Sequence, residues 1–179
     1  VDPGEGQLHG LSLSHDGATL ALSIGGGADG RPMTFSGAKV YARNAETWHL
    51  QVNLPGTVAA SEGIRSTVSL SADGNNLAVG IPTESGLSRG VDGDAAAQGL
   101  TRAGAAYVFR RTGDQWTQAH YVKASNPAAF AEFGGRVALS SDGATLAVTS
   151  VGERGESTGI QGDQTIRPEG RVTGAAYLY

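Results

Sequence analysis

The chain has no cysteine among its 179 residues. Disulfides, thiolate metal sites and a cysteine nucleophile are therefore excluded, although the absence says little about compartment. No run of about 18 apolar residues occurs, so no segment reads as a membrane-spanning helix. Nor does any long stretch place apolar residues at i, i+3, i+4 and i+7, which leaves no amphipathic helix to build a bundle from. Positive charge is also short: 13 Lys and Arg against 17 Asp and Glu give a formal net charge of −4. The basic residues are scattered, so the electrostatic footprint of a nucleic-acid binder is missing. What the sequence has in excess is glycine, 28 residues, beside one Met and few aromatics. That balance suits many tight turns between short strands, and the class it predicts is all-β.

One phrase occurs three times: Leu11-Ser12-Leu13-Ser14-His15-Asp16-Gly17, Val68-Ser69-Leu70-Ser71-Ala72-Asp73-Gly74 and Val137-Ala138-Leu139-Ser140-Ser141-Asp142-Gly143, each followed by a second apolar alternation. Alternating apolar residues around Ser-x-Asp-Gly predict a β-hairpin. Asp16, Asp73 and Asp142 are read as structural turn caps that accept backbone amides, with Gly17, Gly74 and Gly143 taking positive φ. A second phrase, Gly37-Ala38-Lys39-Val40-Tyr41, Gly104-Ala105-Ala106-Tyr107-Val108-Phe109 and Gly174-Ala175-Ala176-Tyr177-Leu178-Tyr179, predicts a third strand buried on both faces. A third phrase occurs twice, Arg43 to Trp48 and Arg111 to Trp116, and leads into a polar, exposed outer strand ending in the second copy at Tyr121-Val122-Lys123. The spacings, 57 residues from Asp16 to Asp73 and 69 from Asp73 to Asp142, define a four-stranded unit with its length variation in the loops. Such a repeat predicts propeller blades of four antiparallel strands, each unit longer than the usual repeat of about 40 to 50 residues. The expected units are blade 1 at about 7–60, blade 2 at about 64–128 and an incomplete blade 3 at about 133–179.

Phe133-Gly134-Gly135-Arg136-Val137, Leu77-Ala78-Val79-Gly80-Ile81-Pro82 and Gly104-Ala105-Ala106-Tyr107-Val108-Phe109 followed by Trp116 resemble the bacterial FG-GAP repeat. The likeness covers nearly the whole chain and is clearest from Thr67 to Tyr179; Gln7-Leu8 and Ile64-Arg65 stand where the first two copies would carry Phe-Gly. FG-GAP repeats are similar to the blades of the integrin α-chain head. The resemblance implies a non-enzymatic β-propeller module of an exported or cell-surface bacterial protein, extracellular, mediating protein–protein interaction or adhesion through its loops. Three hairpins against two Trp strands imply two and a half to three blades. The start at Val1-Asp2-Pro3-Gly4 reads as a processed or excised piece, and the ring is expected to be closed by further blades or by further copies, with a strand around Gly4 to Leu8 completing a neighbour's last blade.

Integrin calcium hairpins carry several oxygen ligands, whereas each hairpin here offers one aspartate in a short turn. The functional candidates therefore lie in two long connections, from about Pro82 to Arg102 and from about Gly152 to Arg171. Asp92, Asp94 and Asp163 are the binding-loop candidates, and Asp94 and Asp163 occupy equivalent positions. A calcium reading takes Asp92, Asp94 and Glu84, or Asp163, Glu153 and Glu156, as hard oxygen ligands; the competing reading is turn chemistry that ties down a long loop. Gly25-Gly26-Gly27-Ala28-Asp29-Gly30 lacks the lysine and helix of a phosphate-binding loop. His9, His15, His49 and His120 sit in no nucleophile–base context, so no catalytic residue is assigned. The alternative function is a carbohydrate-binding or glycan-cleaving propeller, which the absence of Trp, Tyr and Phe from both long loops disfavours.

Overall fold

The computed structural model describes residues 7–25, 37–55, 66–155, 159–162, 165 and 171–179. Among them are eleven strands in three sheets and no helix, so none long and apolar enough to cross a membrane. The first sheet runs β1 (Gln7–Leu13), β2 (Thr19–Gly25), β3 (Gly37–Asn44), β4 (Thr47–Pro55) in sequence order. The second repeats that order with β5 (Thr67–Leu70), β6 (Asn76–Ile81), β7 (Ala105–Thr112) and β8 (Gln115–Val122). The third holds β9 (Phe133–Leu139), β10 (Leu146–Ser150) and β11 (Ala175–Leu178), with β10 in the middle. Neighbours within every sheet are antiparallel.

The thrice-repeated phrase closes each hairpin in the same way. Ser14 Oγ donates to Asp16 Oδ1 at 2.6 Å, Asp16 Oδ1 accepts from the Ala18 amide at 2.9 Å, and the Thr19 amide donates back to Ser14 Oγ at 2.9 Å. Ser71, Asp73 and Asn75 repeat this set, as do Ser140, Asp142 and Ala144. Gly17, Gly74 and Gly143 lie at φ 67, 67 and 70°. Serine and aspartate two residues apart thus satisfy the turn amides that the strands leave over.

The phrase has a second role between sheets. Ser12 Oγ in β1 accepts the Leu70 amide of β5, and Ser69 Oγ, the same position one copy later, accepts the Leu139 amide of β9, both at 2.9 Å. The turns follow suit: the His15 amide donates to the Ala72 carbonyl and the Ala72 amide to the Ser141 carbonyl, again at 2.9 Å. Each first strand is therefore hydrogen-bonded to the next one. Ser69→Ala leaves the half-buried Leu139 amide without its acceptor, at an expected cost of about 1 kcal/mol in urea unfolding. An unchanged midpoint would show that water replaces the hydroxyl.

Alternation sends the two faces of β6 into two different cores. Leu77, Val79 and Ile81 pack with Ala21, Val40, Leu54 and Tyr107 between the first and second sheets. Ala78 packs with Ala106, Val122, Phe133, Leu146 and Val148 between the second and third. The side facing the third sheet is built from small residues, and there the strands come closest: Phe133 bridges to Gly104 in parallel, and Thr67 Oγ1 donates to the Gly134 carbonyl at 3.2 Å. On the first sheet's other face Leu22, Ile24 and Tyr41 form a separate cluster, beside which Leu11 stays 64% exposed.

Candidate functional site

The longest fully described connection, 82–104, is ordered by its own hydrogen bonds. The Leu87 amide donates to the Ala97 carbonyl at 2.8 Å, the Gly99 amide to Ser85 at 2.9 Å and the Gly104 amide to Glu84 at 2.8 Å. Midway, it turns back onto the outer edge of the second sheet. The Lys123 amide donates to the Gly90 carbonyl at 2.8 Å, the Asp92 amide donates to the Tyr121 carbonyl at 2.7 Å, and Val91 bridges antiparallel to Val122. An outer strand presents unpaired amides and carbonyls, and the loop pairs with them at this end.

Consequently β8 is not exposed along its whole length. Its first residues are, but Tyr121, Val122 and Lys123 are buried. This corrects the expectation of a polar, exposed outer strand at its end: the covering segment comes from the 82–104 connection, with Asp92 29 residues upstream of Tyr121, where strand periodicity carries no trace of it.

Beneath the loop lies an ion pair. Lys123 Nζ contacts Glu84 Oε2 at 2.6 Å, with the side chains 0% and 1% exposed. The other carboxylate oxygen, Oε1, accepts the Tyr121 hydroxyl at 3.0 Å and the Gly86 amide at 2.7 Å. A side chain at residue 86 would collide with this arrangement, since its Cβ would stand 2.5 Å from both Glu84 Oε1 and the Tyr121 hydroxyl. Burial pushes the Lys123 ammonium below the ordinary lysine pKa, opposed by the Glu84 carboxylate, and pushes the Tyr121 phenol well up. Glu84 is thus fully engaged by protein donors.

The other sequence candidates are likewise tied to backbone. Asp92 Oδ2 meets His120 Nδ1 at 2.9 Å and its Oδ1 accepts the Tyr121 amide at 3.0 Å, while Asp94 Oδ1 accepts the Ala96 amide at 2.9 Å. Asp163 and Glu156 lie outside the described residues. Among the described residues no three His, Asp or Glu side chains stand together as metal ligands. The structure therefore does not assemble Glu84, Asp92 and Asp94 into a calcium site. It brings Glu84 together with Lys123 and Tyr121, two residues that the sequence reading placed only at the end of a strand.

Among the described residues, four carboxyls sit below the ordinary carboxylate range. In Asp16, Asp73 and Asp142 the cause is first the serine hydroxyl of the turn and then a backbone amide; in Asp92 it is first His120 and then the Tyr121 amide. Because the folded values are depressed, their contribution is full above the ordinary carboxylate pKa and is lost as pH falls through the lower folded values. The urea midpoint is expected to fall between about pH 5 and about pH 2. Asp73→Asn combined with Asp142→Asn should flatten that fall, and an equally steep fall in the variant would reject the assignment.

The third sheet carries the counterpart of Glu84. Glu153 follows β10 at the position Glu84 takes after β6, and its backbone is held alike: its amide donates to Ser150 at 3.4 Å and its carbonyl accepts the Gly174 amide at 3.2 Å, as Glu84 does with Ile81 and Gly104. Glu153 is 5% exposed. Oε1 accepts from Asn126 Nδ2 at 2.8 Å, and Oε2 lies 3.3 Å from the Tyr177 hydroxyl, which also bonds Asn126 Oδ1. Burial, with the Glu153 charge beside it, raises the Tyr177 phenol. Neither the models of known protein families nor the curated proteins searched match the chain.

Proposed function

We propose that the three sheets are successive blades of an FG-GAP-like β-propeller, the ring being completed by further blades or further copies, and that the protein is a non-enzymatic module of an exported or cell-surface protein that binds protein partners through its loops. The observation that carries this reading is the repeated step between sheets, in which Ser12 takes the Leu70 amide and Ser69 takes the Leu139 amide in identical geometry. A step that recurs in one sense is the construction principle of a radial repeat. The 82–104 connection supports the binding role: its backbone is pinned to β8 while Leu87, Arg89 and Val91 stay exposed. Rigid presentation of exposed side chains lowers the ordering cost of association. The test presents the purified chain to arrayed extracellular proteins and to arrayed glycans, alongside a Leu87→Ser/Arg89→Ser variant. Protein binding that the variant loses is the expected result; glycan binding or glycan turnover in its place would overturn it in favour of the carbohydrate-directed alternative.

A further inference from the structure

Lys123 and Glu84 are the two most deeply buried charged side chains among the described residues. An amine and a carboxyl group are also the two halves of an amide. Lys123 Nζ stands 2.6 Å from Glu84 Oε2. With an ordinary carbon–oxygen bond length, that contact puts the nitrogen about 3 to 3.5 Å from Glu84 Cδ, the separation of a near-attack pair.

The surroundings suit the condensation of the two groups. The oxygen that would carry negative charge in a tetrahedral intermediate is Oε1, and two donors already converge on it: the Gly86 amide at 2.7 Å and the Tyr121 hydroxyl at 3.0 Å. Preorganised donors at that oxygen are the electrostatic part of acyl-transfer catalysis. Burial favours the neutral amine, the form that has a lone pair. Both backbones are pinned: the Glu84 amide donates to Ile81, its carbonyl accepts the Gly104 amide, and the Lys123 amide donates to Gly90. The side chains are therefore held face to face, which raises their effective concentration far above that of free reactants. A neutral amide would also remove two buried charges and the desolvation penalty that each carries.

We infer that Lys123 and Glu84 condense in the folded protein to an isopeptide bond, joining Nζ to Cδ and releasing one water. One ammonium proton passes along the short contact to Oε2, which leaves an amine and a carboxylic acid. The nitrogen lone pair then forms the N–C bond at Cδ while the carbonyl π pair moves onto Oε1, where Gly86 and Tyr121 hold it. As that pair returns, the Cδ–Oε2 bond breaks, and the hydroxyl leaves as water with a second proton from nitrogen. The third proton stays on the amide, and no oxidant, reductant or activating reagent is consumed. The ion pair is the state in which the chain folds, and the amide accumulates from it. The bond ties the root of the 82–104 connection to the end of β8. It goes beyond the reading above and depends neither on ring closure nor on a binding partner.

The test follows the intact mass of the whole chain, freshly refolded and then held folded at neutral pH and body temperature for about a month. A growing population lighter by one water is expected, and its digest should contain a branched peptide joining residues 84 and 123. Asp–Gly sequences also lose water, as a succinimide, but mild alkali reopens that ring and leaves an isopeptide intact. Lys123→Arg removes the nucleophile and should keep its full mass. Tyr121→Phe keeps the ion pair while removing one donor to Oε1, so formation of the branched peptide should slow by about a hundredfold. Circular dichroism establishes that each variant is folded, and wild type held in urea is the control in which proximity is lost. A folded wild type that keeps its full mass for the whole period overturns the bond. So do a water loss that alkali reverses completely, a branched peptide that forms as fast in urea, and an unchanged rate in folded Tyr121→Phe.

Discussion

Lys123→Met should destabilise the protein by about 3 to 5 kcal/mol, because it leaves the Glu84 carboxylate buried without its cation. Methionine replaces most of the aliphatic stem, so packing changes little. What disappears is the ammonium 2.6 Å from Oε2, and the remaining partners, the Tyr121 hydroxyl and the Gly86 amide, both serve the other oxygen. Water has no easy way in, since the 86–92 segment lies across the end of β8. The double variant Glu84→Gln/Lys123→Met should recover most of the loss, because removing both charges also removes the desolvation penalty each carries. Guanidinium unfolding of the wild type, the two single variants and the double variant gives the coupling directly. A Lys123→Met variant within about 1 kcal/mol of wild type would mean that Glu84 is rehydrated in the folded protein.

That pair also marks where the sequence stopped being informative. The hairpin turns were legible because everything they need lies within six residues: Ser71, Asp73 and the Asn76 amide are a local set. The order of strands within each sheet followed from the same short phrases. Ser12 and Ser69, however, read as ordinary polar positions on an alternating strand, and their partners lie 58 and 70 residues away. Lys123 looked like the solvated end of an outer strand for the same reason, with its carboxylate 39 residues upstream. One signal was available: Glu84 and Glu153 stand 69 residues apart, the same interval as Asp73 and Asp142. A charge repeated in register with a scaffold residue belongs to the scaffold's geometry, which favours a fixed internal partner over a loosely held metal ion. Asp94 shows the limit of that rule, since it also has a counterpart, Asp163, yet bonds only the Ala96 amide of its own turn.

The Phe-Gly and Gly-Ala phrases meet in one seam, and Gly104→Ala should break it at a cost of about 4 kcal/mol or more, beyond the usual range for single substitutions. Two separate effects add there. Gly104 has φ +83°, and a Cβ on it would drive into the backbone of Phe133, whose carbonyl and amide are fixed by the parallel bridge between the sheets. No flexible side chain stands there to move aside. Gly134 is the reciprocal case, at φ +91° with its Cβ aimed at the Ala105 carbonyl. Phe133 itself is fully buried against Tyr177 and Tyr179, so pushing the seam apart also opens the core between the second and third sheets. Gly113→Ala separates the two effects: it lies at φ +60° with nothing within 4 Å of the added methyl, and should lose only the left-handed backbone penalty of about 1 to 2 kcal/mol. The excess for Gly104→Ala, measured by denaturant unfolding of both variants, is the steric cost of the seam. If the two losses are equal, the close approach of Phe133 to Gly104 does not hold the sheets together. The seam between the first and second sheets is made differently, with Ser66 Oγ donating to the Ile24 and Gly37 carbonyls at 3.4 Å. In the sequence the second copy has Ile64-Arg65 where the third has Phe133-Gly134, so the penalty should be confined to the seam whose phrases are intact.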